Sequence, residues 1–137
     1  MSRILSIDYG GKRTGIAVTD PLKIIATGLR TVETKELMNF LKEYLSREPV
    51  ELVIIGMPVN WDDSDTHATP LVRKFISAFQ KNFPSIAVKE VDERFTSKLA
   101  SQAMIEMGMK KKQRRNKAMV DEIAATIMLQ EYLQHRI

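Results

Sequence analysis

The sequence predicts an α/β fold in which a mixed sheet of about five strands is flanked by helices. Two observations support this. Three strand-like segments follow one another at the N-terminus with only turns between them, whereas the later strands alternate with amphipathic helices. Hairpin-joined strands run antiparallel and helix-separated strands usually run parallel, so the sheet should be mixed. With 137 residues, 44% of them hydrophobic, we expect residues 1–137 to form a single domain.

The N-terminal half is predicted to form a three-stranded meander, a helix and a further strand. The meander strands are expected over residues 3–9, 14–19 and 24–32. Apolar residues then recur with helical spacing over 36–45, and Pro49 marks the end of that helix. Residues 50–55 form a continuous apolar run, which is typical of a strand buried on both faces. We therefore expect this strand to lie centrally in the sheet.

The C-terminal half alternates in the same way. The predicted elements are a helix around 71–79, a strand over 86–91, a helix from Thr96 or Ser97 through Met107, and a last helix over about 118–134. Gly108 is the expected stop of the third of these elements. The chain shows no internal repeat or domain linker, which agrees with a single domain.

Composition narrows the cellular setting. The chain contains no cysteine, which excludes disulfides and thiolate metal sites and suits a reducing compartment, so we expect a cytoplasmic protein. No apolar run reaches the length of a signal peptide or a membrane span. We expect no membrane partner.

The net charge of +4 is concentrated in one segment. Residues 110–117 hold six of the 21 basic residues and no acid, so the rest of the chain carries a net charge of −2. A mildly acidic body with one dense basic segment favours local attraction of a polyanion such as nucleic acid. The alternative is a solvated surface loop.

Acids follow two of the predicted strands. Asp8 ends the first strand and precedes a glycine-rich turn, a position where open α/β folds place ligands, although Asp beside Gly is also common in structural turns. Asp92 and Glu93 end the last strand. Because successive strand residues point to opposite faces, one of these two should reach the same site, and the alternation leaves open which one.

A third acid lies early in the last helix. Asp121 shares a helical face with Ala124, Ala125 and Met128, whereas Glu122 points about 100° away and is expected to face solvent. An acid beside a small apolar face needs compensation, and a bound cation is one way to provide it. A salt-bridged or helix-capping Asp121 is the alternative reading.

Together these acids would form an oxygen-only site. Such ligands suit Mg²⁺ or Mn²⁺, and two such ions can clamp a phosphodiester for hydrolysis. The basic residues available to hold phosphates are Lys12, Arg13, Arg94, Lys110, Lys111, Lys112, Arg114, Arg115 and Lys117.

Four motifs in order resemble a known family. They are Asp-Tyr-Gly-Gly-Lys-Arg-Thr-Gly-Ile-Ala at 8–17, Gly-Met-Pro at 56–58, Asp-Glu-Arg-Phe-Thr-Ser at 92–97 and Asp-Glu-Ile-Ala-Ala at 121–125. Over essentially its whole length the chain is similar to the bacterial YqgF family, also called RuvX. The resemblance implies an RNase H-like fold related to the Holliday junction resolvase RuvC, and a nuclease assigned to 5′-end maturation of pre-16S rRNA.

The resemblance also implies the site residues. The family's acidic site, catalytic and metal-binding, falls on Asp8, Glu93 and Asp121, with Asp92 as a neighbour of uncertain role. One departure is Asp63, which stands where the family loop after Gly-x-Pro usually has Gly. The backbone shape of that loop is therefore not carried over, and the metal acids are unaffected.

Three functions remain in competition. The first is a metal-dependent endonuclease acting on pre-16S rRNA, alone or on ribosomal precursor particles. The second is a resolvase of branched DNA, which would be expected to work as a homodimer on a two-fold junction, so that a monomer and a homodimer both stay open. The third is a non-catalytic RNA-binding factor in ribosome assembly whose acids are structural. A phosphotransferase is disfavoured, because related kinases duplicate this fold around a nucleotide cleft.

Overall fold

In the computed structural model, residues 2–58, 64, 66–92 and 117–135 are described, and five strands among them form one sheet. The strands are β1 (Arg3–Asp8), β2 (Arg13–Thr19), β3 (Ala26–Glu33), β4 (Val50–Met57) and β5 (Ala87–Asp92), in the spatial order β3-β2-β1-β4-β5. β1 to β3 are antiparallel neighbours, while β1, β4 and β5 run parallel. The predicted mixed sheet with an N-terminal meander is confirmed. β4 has neighbours on both sides as expected, but the middle strand is β1.

Helices cover both faces of this sheet. A 3₁₀ turn, Thr34–Glu36, leads into α1 (Leu37–Arg47), and α2 (Thr69–Asn82) and α3 (Lys117–His135) follow later in the chain. These agree with the predicted helices to within a few residues at each end. The helix expected between Thr96 and Met107 lies outside the described residues. None of the helices described here is long and apolar enough to cross a membrane.

Two apolar clusters lie on opposite sides of the sheet. On one side, α1 and α2 pack against alternate residues of the central strand, Leu5 and Ile7, and both side chains are fully buried. On the other side, α3 packs against the intervening positions, beginning with Ile4. This alternation follows from the strand geometry, in which neighbouring residues point to opposite faces. It assigns every β1 side chain to either the α1/α2 face or the α3 face.

Glycines in the meander let α3 approach its backbone. A methyl group added at Gly15 in β2 would overlap the carbonyl oxygen of Asp121, so strand and helix meet here backbone to backbone. At Gly28 in β3, an added methyl group would overlap the side chain of Glu122. The expectation that Glu122 faces solvent is therefore wrong, because the close approach of α3 lays this side chain over β3.

Candidate active site at the carboxyl edge of the parallel strands

Asp8 lies at the edge of the sheet where all three parallel strands end. It is the last residue of β1, and in the antiparallel register it stands opposite Gly15 of β2. Residues directly opposite each other in such a pair point to the same face. Since the missing side chain of Gly15 would point at the backbone of Asp121, the Asp8 carboxylate lies on the α3 face.

The contacts along β1 bring Asp8 to the level of Asp121. The buried Ser6 hydroxyl donates a hydrogen bond of 2.7 Å to the carbonyl oxygen of Ala125, which fixes how strand and helix align. Two residues along a strand span about 6.8 Å, and four residues along a helix span about 6.0 Å. Asp8 lies two residues after Ser6 in β1, and Asp121 lies four residues before Ala125 in α3, so the two displacements are of similar length. The two carboxylates therefore belong to the same corner of the molecule.

Arg13 lies inside this corner. It precedes Gly15 by two positions in β2 and so shares the α3 face. Its Nε lies 3.5 Å from Oδ2 of Asp121, and both side chains are about one-third exposed. The Nε atom itself is buried and has no hydrogen-bond partner among the described residues. Arg13, predicted to hold substrate phosphate, thus stands beside one of the predicted metal acids.

Asp92 points to the other face. It ends β5 in register with Met57, which is buried in the α1/α2 cluster, whereas the preceding Val91 is buried in the α3 cluster. Asp92 therefore lies on the opposite side of the sheet from Asp8 and Asp121. Glu93, the other acid that the alternation left open, lies outside the described residues. In the described part of the chain, no three His, Asp or Glu side chains form a group that could hold a metal.

The turn between β1 and β2 is held firmly at the rim of this corner. Thr34 donates its hydroxyl to the Gly10 carbonyl (2.6 Å) and its backbone N–H to the Lys12 carbonyl (2.8 Å). The Thr14 hydroxyl lies 2.9 Å from that of Thr34. Three contacts at one residue therefore tie the turn to the end of β3.

A basic depression lies beside this turn. The described residues that line it are Gly11, Lys12, Arg13, Glu33 and Lys35. The Lys35 ammonium lies 3.4 Å from Glu33, and its side chain is 76% exposed, so it remains accessible to an anion. Sequence reasoning missed Lys35, because only the register that pairs Arg13 with Glu33 brings the end of β3 next to the turn.

The positions of the other predicted phosphate-binding side chains are not described. Arg94 and the basic residues between 110 and 115 lie outside the described residues. Lys117 is the first residue of α3, and its side chain is likewise not described. Among the described residues, the basic side chains placed at the site are therefore Lys12, Arg13 and Lys35.

Comparison with known proteins identifies the family. The model of a family described as "RuvX: Holliday junction resolvase" matches residues 2–135. The chain belongs to the RuvX family. Relatives named "Putative pre-16S rRNA nuclease" occur in Flavobacterium psychrophilum (54% identity, all of both chains) and in Bacteroides thetaiotaomicron (53%, 99% of both chains). One from Porphyromonas gingivalis is 50% identical over 98% of both chains.

A solved structure shows the same fold. RuvC of T. thermophilus, in complex with a Holliday junction substrate, superposes with a TM-score of 0.56 over 98% of this chain and 96% of that one, at 17% identity. At this identity the likeness shows the fold alone. The predicted RNase H-like architecture of this RuvX family member is confirmed.

The acids present fit a hard divalent cation. Asp8 and Asp121 offer oxygen ligands alone, and the chain has no thiolate to favour a softer metal. In addition, Asp121 already has a positive group within 4 Å, the Arg13 guanidinium. The corner therefore already places positive charge beside a carboxylate on a packed helix face.

Proposed function

We propose that this RuvX family member is an endonuclease that hydrolyses nucleic-acid phosphodiesters and acts in 5′-end maturation of pre-16S rRNA. In this proposal Asp8, Glu93 and Asp121 hold Mg²⁺ or Mn²⁺. The observation that carries it is the convergence of Asp8 and Asp121 on one face of the sheet, through the Gly15 contact and the Ser6 to Ala125 hydrogen bond. The two acids come from opposite ends of the sequence, and these two contacts between β1, β2 and α3 place them on the same face.

The residues of the chain would divide the work. Bound divalent ions supply a nucleophilic water and stabilise the leaving oxygen of a phosphodiester. The carboxylates at the corner hold such ions, while Lys12 and Lys35 at the rim offer positive charge to the flanking phosphates. The basic segment 110–117 would extend the contact along the nucleic acid. Replacing its six basic residues by Gln should flatten the salt dependence of binding.

Pre-16S rRNA is the favoured substrate because full-length relatives at 50–54% identity carry the name of a pre-16S rRNA nuclease. Ribosomal precursor particles would then be partners, and the cytoplasm the site of action. Cleavage of branched DNA is the second candidate, and the description of the matching family model favours it.

A side-by-side cleavage assay separates the two substrates. Purified protein is incubated with a 5′-extended 16S rRNA fragment and with a four-way DNA junction, with and without Mn²⁺. We expect metal-dependent cutting of the RNA, and a rate about 10³-fold lower in Asp121→Asn, given the usual loss when a charge-stabilising group is removed. Glu43→Gln, on the exposed surface of α1, is the charge-matched control and should cut normally.

The assay can also contradict the proposal. Cutting of the junction alone would move the assignment to resolution of branched DNA. Binding of RNA with no cutting of either substrate would favour a non-catalytic assembly factor.

A further inference from the structure

The pair formed by Arg13 and Asp121 has an unusual geometry for a structural salt bridge. Arginine normally meets a carboxylate through two short, parallel N–H···O bonds of about 2.7–2.9 Å. Here Nε approaches Oδ2 no closer than 3.5 Å, and this buried Nε has no hydrogen-bond partner in the described part of the chain. Charge attraction therefore holds Nε near the acid, without a hydrogen bond that locks it there.

Strand and helix geometry impose this approach. Arg13 and Gly15 are two positions apart on the same face of β2, and Gly15 lets the Asp121 backbone come into direct contact with the strand. An arginine on the other face of the meander behaves differently: Arg30 lies over the Phe40 ring, 5.8 Å from its centroid, and is exposed. Arg13 thus places a positive group beside an acid, whereas Arg30 on the opposite face lies over an aromatic ring.

We propose that Arg13 is the internal counter-ion of the acid site and competes with the metal for Asp121. This inference rests on the proposed metal site. In the metal-free protein the guanidinium compensates the Asp121 carboxylate. A divalent cation on the same carboxylate would lie a few ångströms from the guanidinium, and the two like charges repel each other. Loading of the site therefore displaces Arg13 from Asp121.

The basic depression offers a second position for the displaced guanidinium. Arg13 also lines the basic depression with Lys12 and Lys35 at the rim. A guanidinium moved out of the acid corner would add to the positive charge there and could hold a phosphate in the bidentate manner that suits this group. Arg13 would then link metal loading to phosphate binding at the rim.

Metal affinity tests the competition. Mn²⁺ binding is measured by calorimetry on the wild type, Arg13→Gln, Arg13→Lys and the control Arg30→Gln, which removes the same charge from the other face. We expect Arg13→Gln to bind Mn²⁺ about fivefold more tightly or better, in the usual range of coupling between sites. Arg30→Gln should stay within about twofold of the wild type, and Arg13→Lys should lie between the two. Equal affinities of Arg13→Gln and Arg30→Gln, or a weaker affinity of Arg13→Gln, would overturn the inference.

A double-mutant cycle tests the ion pair without any metal. The midpoints of denaturant unfolding are compared for Arg13→Gln, Asp121→Asn and the double variant in the presence of a chelator. We expect Arg13→Gln to lower the midpoint when Asp121 is present and to have little effect when it is Asn, whereas additive shifts would refute the pair.

The two failures are distinguishable. Saturable Mn²⁺ binding by the wild type that Arg13→Gln leaves unchanged refutes the counter-ion and spares the proposed function. Absence of saturable Mn²⁺ binding by the wild type refutes the metal site and the competition together.

Discussion

The two faces of the sheet are built from the same strands but differ in chemistry. On the α1/α2 face, β1 contributes Leu5 and Ile7, both fully buried and apolar. On the α3 face, the same strand contributes Ile4, then Ser6, then Asp8, so polarity rises toward the carboxyl edge. The alternation of a strand therefore lets one short segment stabilise the fold with one set of side chains and place the candidate site acid, Asp8, with the other.

The two faces also tolerate different defects. The α1/α2 face is filled by large aliphatic and aromatic side chains, among them a row of rings on α2 and the residue after it, Phe75, Phe79 and Phe83, with neighbouring centroids 6.1 and 4.9 Å apart. Near the carboxyl edge of the α3 face, the described residues instead make a glycine contact and the Arg13–Asp121 ion pair. Mutations on the first face should thus act on stability alone, and those near the carboxyl edge of the second should also act on binding and chemistry.

Adjacent substitutions in β1 give the largest contrast. Ile7→Ala opens a cavity in the α1/α2 cluster and should lower the free energy of unfolding by about 2–5 kcal/mol. Asp8→Asn keeps the side-chain shape and should leave the unfolding midpoint near that of the wild type while lowering the cleavage rate about 10³-fold. Chemical denaturation and single-turnover cleavage measure the two effects. Loss of stability in Asp8→Asn comparable to that in Ile7→Ala would abolish the distinction between the faces.

Gly15→Ala should disturb the packing of α3 against β2 and leave the α1/α2 face unchanged. The added methyl group overlaps the Asp121 carbonyl, so α3 must shift, at a cost of about 1–3 kcal/mol and with weaker Mn²⁺ binding. Gly11→Ala is the matched control, since a methyl group there meets open space. Both variants are compared by denaturation and metal titration. A normal Mn²⁺ affinity in Gly15→Ala would show that the position of Asp121 is unimportant.

Ser6→Ala probes the alignment of strand and helix. Loss of the buried hydrogen bond to the Ala125 carbonyl should cost about 1 kcal/mol in the free energy of unfolding. Ser46→Ala is the control: its hydroxyl also donates to a helix carbonyl, that of Glu43, but in an exposed position. Equal, negligible shifts in the two denaturation curves would mean that the Ser6 bond does not fix the alignment.

Substitutions of the two lysines at the rim, Lys12 and Lys35, should have the smallest effects in this series, and these effects should be on RNA binding. Lys12→Gln and Lys35→Gln should each weaken RNA binding modestly and reduce the salt dependence of the binding constant by about one unit of slope, if each contacts one phosphate. Lys42→Gln, on the exposed surface of α1, removes the same charge away from the depression. Binding titrations at several salt concentrations measure the slopes. Identical slopes in all three variants would show that the depression is not part of the RNA-binding surface.

Much of the fold could be predicted from local patterns. The hairpin order, the helical periodicities and the strand over residues 50–57 are local features, and each lies within a few residues of its expected position. The order of strands across the sheet is not local. The middle position of β1 depends on parallel pairing with β4, between residues 47 or 48 positions apart.

The candidate site could be predicted only in part, because its geometry depends on register. Asp8 and Asp121 were identified as acids at element ends, but only the Gly15 contact brings them onto one face. Alternation alone left open whether Asp92 or Glu93 belongs to the site, until the pairing of Asp92 with Met57 showed its face. The pairing of Arg13 with Asp121 likewise joins residues 108 positions apart in the sequence.

The most direct test compares two acids that end parallel strands of the same sheet, β1 and β5. Asp8 and Asp92 both lie at the carboxyl edge, but on opposite faces. Metal-dependent single-turnover cleavage of the substrate that the wild type cuts is measured for Asp8→Asn and Asp92→Asn. A catalytic site on the α3 face predicts a rate about 10³-fold lower for Asp8→Asn and a rate within a few-fold of wild type for Asp92→Asn. Equal losses in both, or a loss in Asp92→Asn alone, would contradict a catalytic site on the α3 face.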